Sequence, residues 1–326
     1  MNKKYWAAGL GLSAIGGAIG WQFLSRASEV NWNDVSKYVP HSENSQFAEV
    51  DGLRVHYQEF GALNNPTILL IHGYTASAFV WRTVAPLLAE NGFHVVAVDL
   101  IGFGYSSKPA WFDYTIASQA RIVSRLMNCV GIGRAGVVGT SYGGAVAATL
   151  ALDYAERVEK LILVDAVIND EPKNHPILKV ARIPGVGEFL APFFIGSKMF
   201  MRRRMRGTLH ETNHHLITPE RIEGIRRPLH AADAHHSVLQ TGRNWDANRV
   251  EADAHLINQP TLIIWGANDT VIPTSDGEKL FDSMLHSRFV VFQNCGHSPQ
   301  EEKPDDFVNV VTEFLTSEKI KSRKNK

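Results

Sequence analysis

Apolar positions along this chain gather in short, evenly spaced blocks. Residues 47–60 alternate about Asp51-Gly52, the pattern of a β-hairpin with a tight turn. Strand-like apolar runs then recur at 67–71, 94–98, 135–139, 161–165, 261–265 and 288–292. Stretches of helical pattern separate them. That alternation predicts an α/β fold with a mostly parallel sheet covered by helices on both faces.

The rhythm breaks between Val167 and about Leu256, where no buried-strand run occurs. Short helical pieces appear instead, punctuated by Pro172, Pro176, Pro184, Pro192, Pro219 and Pro228. The stretches 177–183, 189–195 and 199–201 are strongly apolar and predict a lid that faces a greasy substrate group, with some side chains packed on the core. The run Arg202-Arg203-Arg204-Met205-Arg206 reads as a solvated helix face, with contact to lipid headgroups as the alternative.

The N-terminus has its own pattern. After Lys3 and Lys4, residues 5–24 carry no formal charge, with Tyr5, Trp6, Trp21 and Phe23 at the two ends. About twenty such residues span a bilayer as a helix, and aromatic ends suit its interfaces. A cleaved signal peptide is the competing reading, but the run exceeds a usual signal core and lacks an Ala-x-Ala end. The flanking lysines favour a cytoplasmic N-terminus, which places the rest of the chain on the non-cytoplasmic side. The chain is therefore expected to divide into an N-terminal transmembrane anchor (1–25), a linker (26–46), a first core segment (47–167), a helical cap (168–256), a second core segment (257–318) and a basic tail (319–326).

Composition narrows the classes. The 326 residues hold 33 basic and 33 acidic side chains, so nothing supports nucleic-acid binding. Two cysteines imply no disulfide framework. Cys129 is expected as a small buried residue, and Cys295 as a packing residue.

The most specific local signal is Gly139-Thr140-Ser141-Tyr142-Gly143, which follows an apolar strand and opens a small-residue helix. Gly-x-Ser-x-Gly in that context is a nucleophile elbow: a turn so tight that bulk two residues either side of the serine is excluded. A serine hydroxyl needs a base, and the base an orienting acid. Asp269 follows the run ending in Trp265-Gly266, and His297 follows the last apolar run. Each sits just past a strand's C-terminal end, where an open α/β sheet places its chemistry. The backbone N–H of Tyr142, next after the serine, is a candidate oxyanion donor.

With these segments the chain resembles the α/β-hydrolase superfamily from about Phe47 to Leu315. His72-Gly73-Tyr74 resembles that family's oxyanion loop, and Asp99 to Ser106 its Asp-x-x-Gly-x-Gly-x-Ser loop. The resemblance implies Ser141 as nucleophile, His297 as base and Asp269 as acid. It implies the backbone N–H of Tyr74 as second oxyanion donor, and neither metal nor cofactor. Asp165 is the rival acid, because some members carry theirs at that strand; otherwise it organises the cap junction. His72 shapes the oxyanion loop, and Asp99 bonds backbone within its own loop. Relatives that cleave haloalkanes or epoxides carry aspartate at the elbow, so Ser141 argues against those activities. The implied function is a membrane-anchored serine hydrolase acting on carboxylic esters of lipid or acylglycerol type. Carbon–carbon bond hydrolases, whose usual Gly-Pro-Gly stretch is missing here, and cofactor-free haloperoxidases use the same three residues and remain alternatives. A non-catalytic binding protein on the same scaffold is the alternative of another class.

Two further patterns compete weakly. His210-Glu211-Thr212-Asn213-His214 matches a zinc-protease pattern without a convincing third ligand. Gly131, Gly133 and Gly136 match a dinucleotide fingerprint, but with helix and strand in reversed order.

Overall fold

The computed structural model describes residues 30–171, 176–230 and 232–317. The expected anchor (1–25) and basic tail (319–326) lie outside the described residues. Among those described, no helix is long and apolar enough to cross a membrane.

The strands are β1 (Ser45–Val50), β2 (Leu53–Phe60), β3 (Thr67–Ile71), β4 (His94–Val98), β5 (Ala135–Thr140), β6 (Val158–Val164), β7 (Thr261–Gly266) and β8 (Ser287–Phe292). They form one sheet in the order β1-β2-β4-β3-β5-β6-β7-β8. The β1–β2 and β2–β4 pairs are antiparallel, and all others are parallel. Asp51 (φ 52°) and Gly52 (φ 75°) both turn through left-handed backbone between β1 and β2, as a two-residue hairpin requires.

Each parallel strand feeds two apolar layers, because successive side chains alternate faces. Leu69 and Ile71 join one layer, while Ile68 and Leu70 join the other. Helices α1 (Val84–Glu90), α2 (Ile116–Cys129) and α3 (Tyr142–Asp153) follow β3, β4 and β5. α2 and α3 cover the Leu69 face, and α1 the Ile68 face. The α2 stripe Ile116, Ala120, Val123 and Met127 is buried. Cys129 closes that helix beyond the stripe and is exposed, contrary to expectation, with its Sγ 3.7 Å from the Glu49 carbonyl. Gly131 (φ 74°) ends the helix ahead of β5, so the glycine pattern there is a helix terminator.

Between β6 and β7 the chain makes α4 (Pro176–Ala181), α5 (Val186–Phe194), α6 (Lys198–Thr208), α7 (Pro219–Arg226), α8 (Ala232–Arg243) and α9 (Asn248–Asp253). Pro176 and Pro219 open their helices, where a fixed φ and a missing N–H cost nothing. After β7 come α10 (Thr274–Ser283), α11 (Pro299–Glu302) and α12 (Pro304–Thr316). Met201, Met205, Leu209 and Ile222 join the core layer over the Leu69 face. α5 departs from the expected lid. It buries Gly187, Ala191 and Pro192 and turns Val186, Phe189, Phe193 and Phe194 outward. A charged tie joins insertion to core: Glu301 accepts from Arg221 (2.8 Å) and Arg82 (2.6 Å), with the Arg221 and Glu301 side chains each 5% exposed. Truncating one partner would strand a buried charge.

The described part of the expected linker is folded onto the sheet. Asn31 caps a helical turn at Trp32–Val35, and Trp32 packs against Phe47, His56 and Tyr105. Gln58 Nε2 donates to the carbonyls of Pro40 (2.7 Å) and His41 (3.1 Å). Polar composition misled here because the backbone carbonyls of this segment are the groups being bound.

No atom lies within 4 Å of a Cβ built on Gly52, so Gly52→Ala carries backbone strain alone. Chemical denaturation should show a loss of about 1–2 kcal/mol, with the site below untouched.

Candidate active site

The elbow is built by close backbone packing. Ser141 takes φ 53°, ψ −122° between β5 and α3. A Cβ on Gly139 would lie 2.2 Å from the Gly143 carbonyl oxygen. One on Gly143 would lie 2.4 Å from the carbonyl oxygens of both Ile71 and His72. One on Gly144 would meet Ala166 Cβ at 2.5 Å. The glycines therefore let α3 lie against β3 and the start of the segment after β6. The Ser141 carbonyl receives the N–H groups of Gly144 (2.9 Å) and Val167 (3.0 Å), which locks the turn.

His297 meets Ser141 across this turn, with Nε2 3.1 Å from Oγ. Its Nδ1 lies 2.7 Å from Asp269 Oδ2. Asp269 accepts on its other oxygen from the N–H groups of Val271 (2.7 Å) and Ile272 (3.1 Å). A carboxylate only accepts, so Nδ1 carries the proton and Nε2 can receive that of Ser141.

Asp165 also reaches this cluster. A carboxylate oxygen of Asp165, one of Asp269 and a ring nitrogen of His297 lie within 4.8 Å of one another. Asp165 Oδ1 accepts from Gly266 N at 2.9 Å, while Oδ2 has no partner among the described residues. Burial, then the neighbouring Asp269 charge, pushes the Asp165 carboxyl well above the usual carboxylate range. Two acids compete here for one negative charge. Three N–H donors fix it on Asp269, and Asp165 keeps its proton.

The candidate base, His297, is held by a residue that sequence reading missed. Glu302 Oε1 accepts from Gly296 N (3.0 Å) and Ser298 N (3.2 Å), the two neighbours of His297. Its Oε2 accepts from His210 N (2.9 Å) and Asn213 Nδ2 (2.7 Å), and His297 N donates to Thr208 O (2.8 Å). One buried carboxyl group thus joins the base loop to the insertion. The zinc-like pattern is dismantled by the same contacts. Residues 211–216 form a 3-10 turn, so His210 and His214 do not share an α-helical face. His210 Nδ1 bonds Thr212 Oγ1 (2.8 Å), and His214 Nε2 bonds the Arg206 carbonyl (3.1 Å).

Tyr74 follows the glycine that stands beside Ser141, the candidate nucleophile. A Cβ on Gly73 would lie 3.0 Å from Ser141 Cβ and 3.5 Å from its Oγ. Tyr142 opens α3, so its N–H has no acceptor one helical turn back. The Tyr74 hydroxyl donates to the Val238 carbonyl at 2.6 Å, and Trp245 packs on Tyr74 and Tyr142 with centroids 5.5 and 5.1 Å away. Burial pushes both phenols up, so neither ionises near neutral pH. His72 holds the loop from beneath: Nδ1–H donates to Gly73 O (2.8 Å), and Nε2 accepts from Leu100 N (3.1 Å). Burial pulls its imidazole below the ordinary range, matching that neutral pattern. Asp99 bonds Tyr105 N (2.8 Å) in its own loop, and also Ala78 N (2.6 Å) and buried His56 Nδ1 (2.7 Å). Burial opposes its charge, but His56 and the donors outweigh burial and hold the carboxyl below its ordinary value. Cys295 is buried, which pushes its thiol up and leaves it a packing residue. Arg204, within the arginine run, sends Nη1 to Thr75 Oγ1 at 2.7 Å.

A tight strand–serine–helix turn over a mostly parallel sheet defines a class, and comparison places the chain in it: residues 66–304 match the alpha/beta hydrolase fold family, to which this protein belongs as a hydrolase. It is 27% identical over 267 residues to the uncharacterized hydrolase YugF of Bacillus subtilis, covering 82% of this chain and 96% of that one. It is 28% identical over 300 residues to a 2-hydroxy-6-oxo-6-phenylhexa-2,4-dienoate hydrolase of Comamonas testosteroni, covering 88% and 99%. Among solved structures, a membrane phospholipase A superposes with a TM-score of 0.72 at 25% identity, over 96% of this chain and 98% of that one.

Two outcomes follow from the geometry. Glu302→Gln keeps one oxygen for two pairs of N–H donors, so its NH2 must face either the base loop or the insertion that braces it, and the His297 loop loses its fixed position. We expect kcat to fall by about 10- to 100-fold with KM little changed, measured by steady-state kinetics. Asp165 binds a proton in the folded state that it releases in the unfolded state above about pH 4. The contribution of Asp165 to wild-type stability therefore falls as pH rises beyond that point. Asp165→Asn, which lacks this proton, should be the more stable protein near neutral pH, with the difference closing as pH falls toward about 4. Denaturant titrations at several pH values read it.

Proposed function

We propose that this protein is a membrane-anchored serine hydrolase that cleaves carboxylic esters of lipid or acylglycerol type through an acyl-enzyme. The carrying observation is the unbroken hydrogen-bond series from Asp269 through His297 to Ser141. Ser141 Oγ attacks the ester carbonyl as its proton passes to His297 Nε2, and Asp269 stabilises the imidazolium. The carbonyl oxygen takes hydrogen bonds from the backbone N–H groups of Tyr74 and Tyr142. His297 then protonates the leaving alcohol, and a water activated by the same imidazole releases the acid.

The substrate class rests on three supports. The rings of Tyr74, Tyr142 and Trp245 pack together next to Ser141, an aromatic surrounding that suits an apolar acyl or alkyl group. The membrane phospholipase A likeness extends over nearly the whole chain. The uncharged run at 5–24 supplies the anchor, with the hydrolase on the non-cytoplasmic side. A second reading, carbon–carbon bond hydrolysis, is favoured by the Comamonas relative and uses the same three residues.

A fluorophosphonate probe should label the wild type and fail on Ser141→Ala, whose turnover should fall by at least about 10⁴-fold. Retained labelling and activity in that variant would refute the assignment. A p-nitrophenyl ester series of rising chain length, beside a monoacylglycerol and a ring-cleavage diketone, separates the two readings. Faster turnover of the diketone overturns the ester assignment.

A further inference from the structure

The outer surface of the insertion is unlike the rest of the molecule. Among the described residues, thirteen large hydrophobic side chains are exposed, and seven of them fall between Val180 and Met199. Phe189 is 52% exposed, and Met199 81%. They are outward by construction: α5 buries Gly187 and Ala191, so Val186, Phe189 and Phe193 occupy the opposite side. A soluble face would carry polar groups there. Monomeric proteins seldom leave such a patch without a use.

Charge says what covers it. Residues 179–206 contain seven lysines and arginines and one acid, Glu188, which Arg243 already binds at 2.8 Å. Arg202, Arg203 and Arg206 are exposed on α6, whose Met201 and Met205 face the core. Aromatic and aliphatic side chains bordered by cations suit an anionic lipid surface, where rings enter the acyl boundary and cations meet phosphates. A second copy of the chain fits poorly, since a two-fold contact would set this basic surface against itself.

We propose that the outward face of α5 and the start of α6 docks onto an anionic phospholipid bilayer. This deepens, and for its purpose rests on, the lipid-ester reading above: α6 also carries Arg204, whose guanidinium bonds Thr75 beside the candidate oxyanion loop. A docked insertion therefore holds the site at the lipid surface.

The test uses the full chain with Cys129→Ser and Phe189→Cys, labelled at 189 with the polarity-sensitive fluorophore NBD; Cys295 is buried and escapes labelling. Vesicles are phosphatidylcholine alone or phosphatidylcholine mixed with phosphatidylglycerol. The expected result is a blue shift and a several-fold intensity rise only with phosphatidylglycerol, weakened by salt. The same probe carried with Arg202→Glu, Arg203→Glu and Arg206→Glu should stay aqueous. Because the label reads its own surroundings, attachment through the N-terminal segment does not mimic the signal. Aqueous emission on both vesicles overturns the proposal, as does a shift indifferent to salt and to charge reversal. A shift that appears without lipid and grows with protein concentration overturns it in favour of self-association. Fluorophosphonate labelling of Ser141, read in the same samples, tests the hydrolase reading separately: its loss with the lipid-dependent shift intact would refute that reading and leave the docking face standing.

Discussion

Everything in this molecule is arranged around one place where backbones touch. At Gly139 and Gly143, carbonyl oxygens come within 2.2–2.4 Å of where a Cβ would stand. That contact brings α3 down on β3 and forces Ser141 into positive φ. The same approach sets Gly73 against Ser141, so the Ser141 position and the loop bearing Tyr74 are fixed by a single packing event. A larger residue at either glycine would move both together. The parallel sheet supplies the rigidity that lets such a turn persist, since strained backbone survives only where its surroundings over-determine it.

Sequence reading located the strands well because a buried parallel strand has little freedom in composition. The runs at 67–71 and 94–98 coincide with β3 and β4, and the remaining parallel strands begin or end within three residues of expectation. Ser141, Asp269 and His297 were legible for a related reason. Each stands just beyond a strand end, and the structure brings the three side chains into one hydrogen-bonded series. What stayed hidden depends on where a side chain aims. Glu302 lies in an ordinary acidic stretch, and nothing in it shows that one carboxyl group collects donors from both neighbours of His297 and from residues 210 and 213. Trp245 sits among polar residues, although its ring packs on Tyr74 and Tyr142.

The insertion shows the same limit from the other side. Hydrophobicity predicted a lid with its apolar groups turned inward. For Met201, Met205 and Leu209 that is where they lie, but the phenylalanines of α5 face outward. A transfer free energy says that a side chain avoids water; it does not say whether core or another apolar phase replaces it. Likewise, polar composition marked residues 26–46 as a linker, yet Gln58 binds the carbonyls of Pro40 and His41, and Trp32 packs on the sheet edge. Composition counts side chains and is blind to the backbone groups that such a segment offers.

The pair Asp165 and Asp269 shows how a site settles a choice that residue types leave open. Both acids follow strand ends and both approach His297, so type and position alone do not rank them. Donor supply does. Asp269 has two backbone N–H groups and the imidazole, while Asp165 has one N–H and a buried oxygen with no partner among the described residues. Placing charge on both would set two carboxylates together in a site with little water, and the cost falls on the one with fewer donors. Asp165 therefore remains neutral and fills space beside the base without competing for it. A neutral acid at that point also keeps the local field simple: one negative charge, held along the Nδ1–H direction, is the arrangement that the proposed transfer of the Ser141 proton to His297 needs.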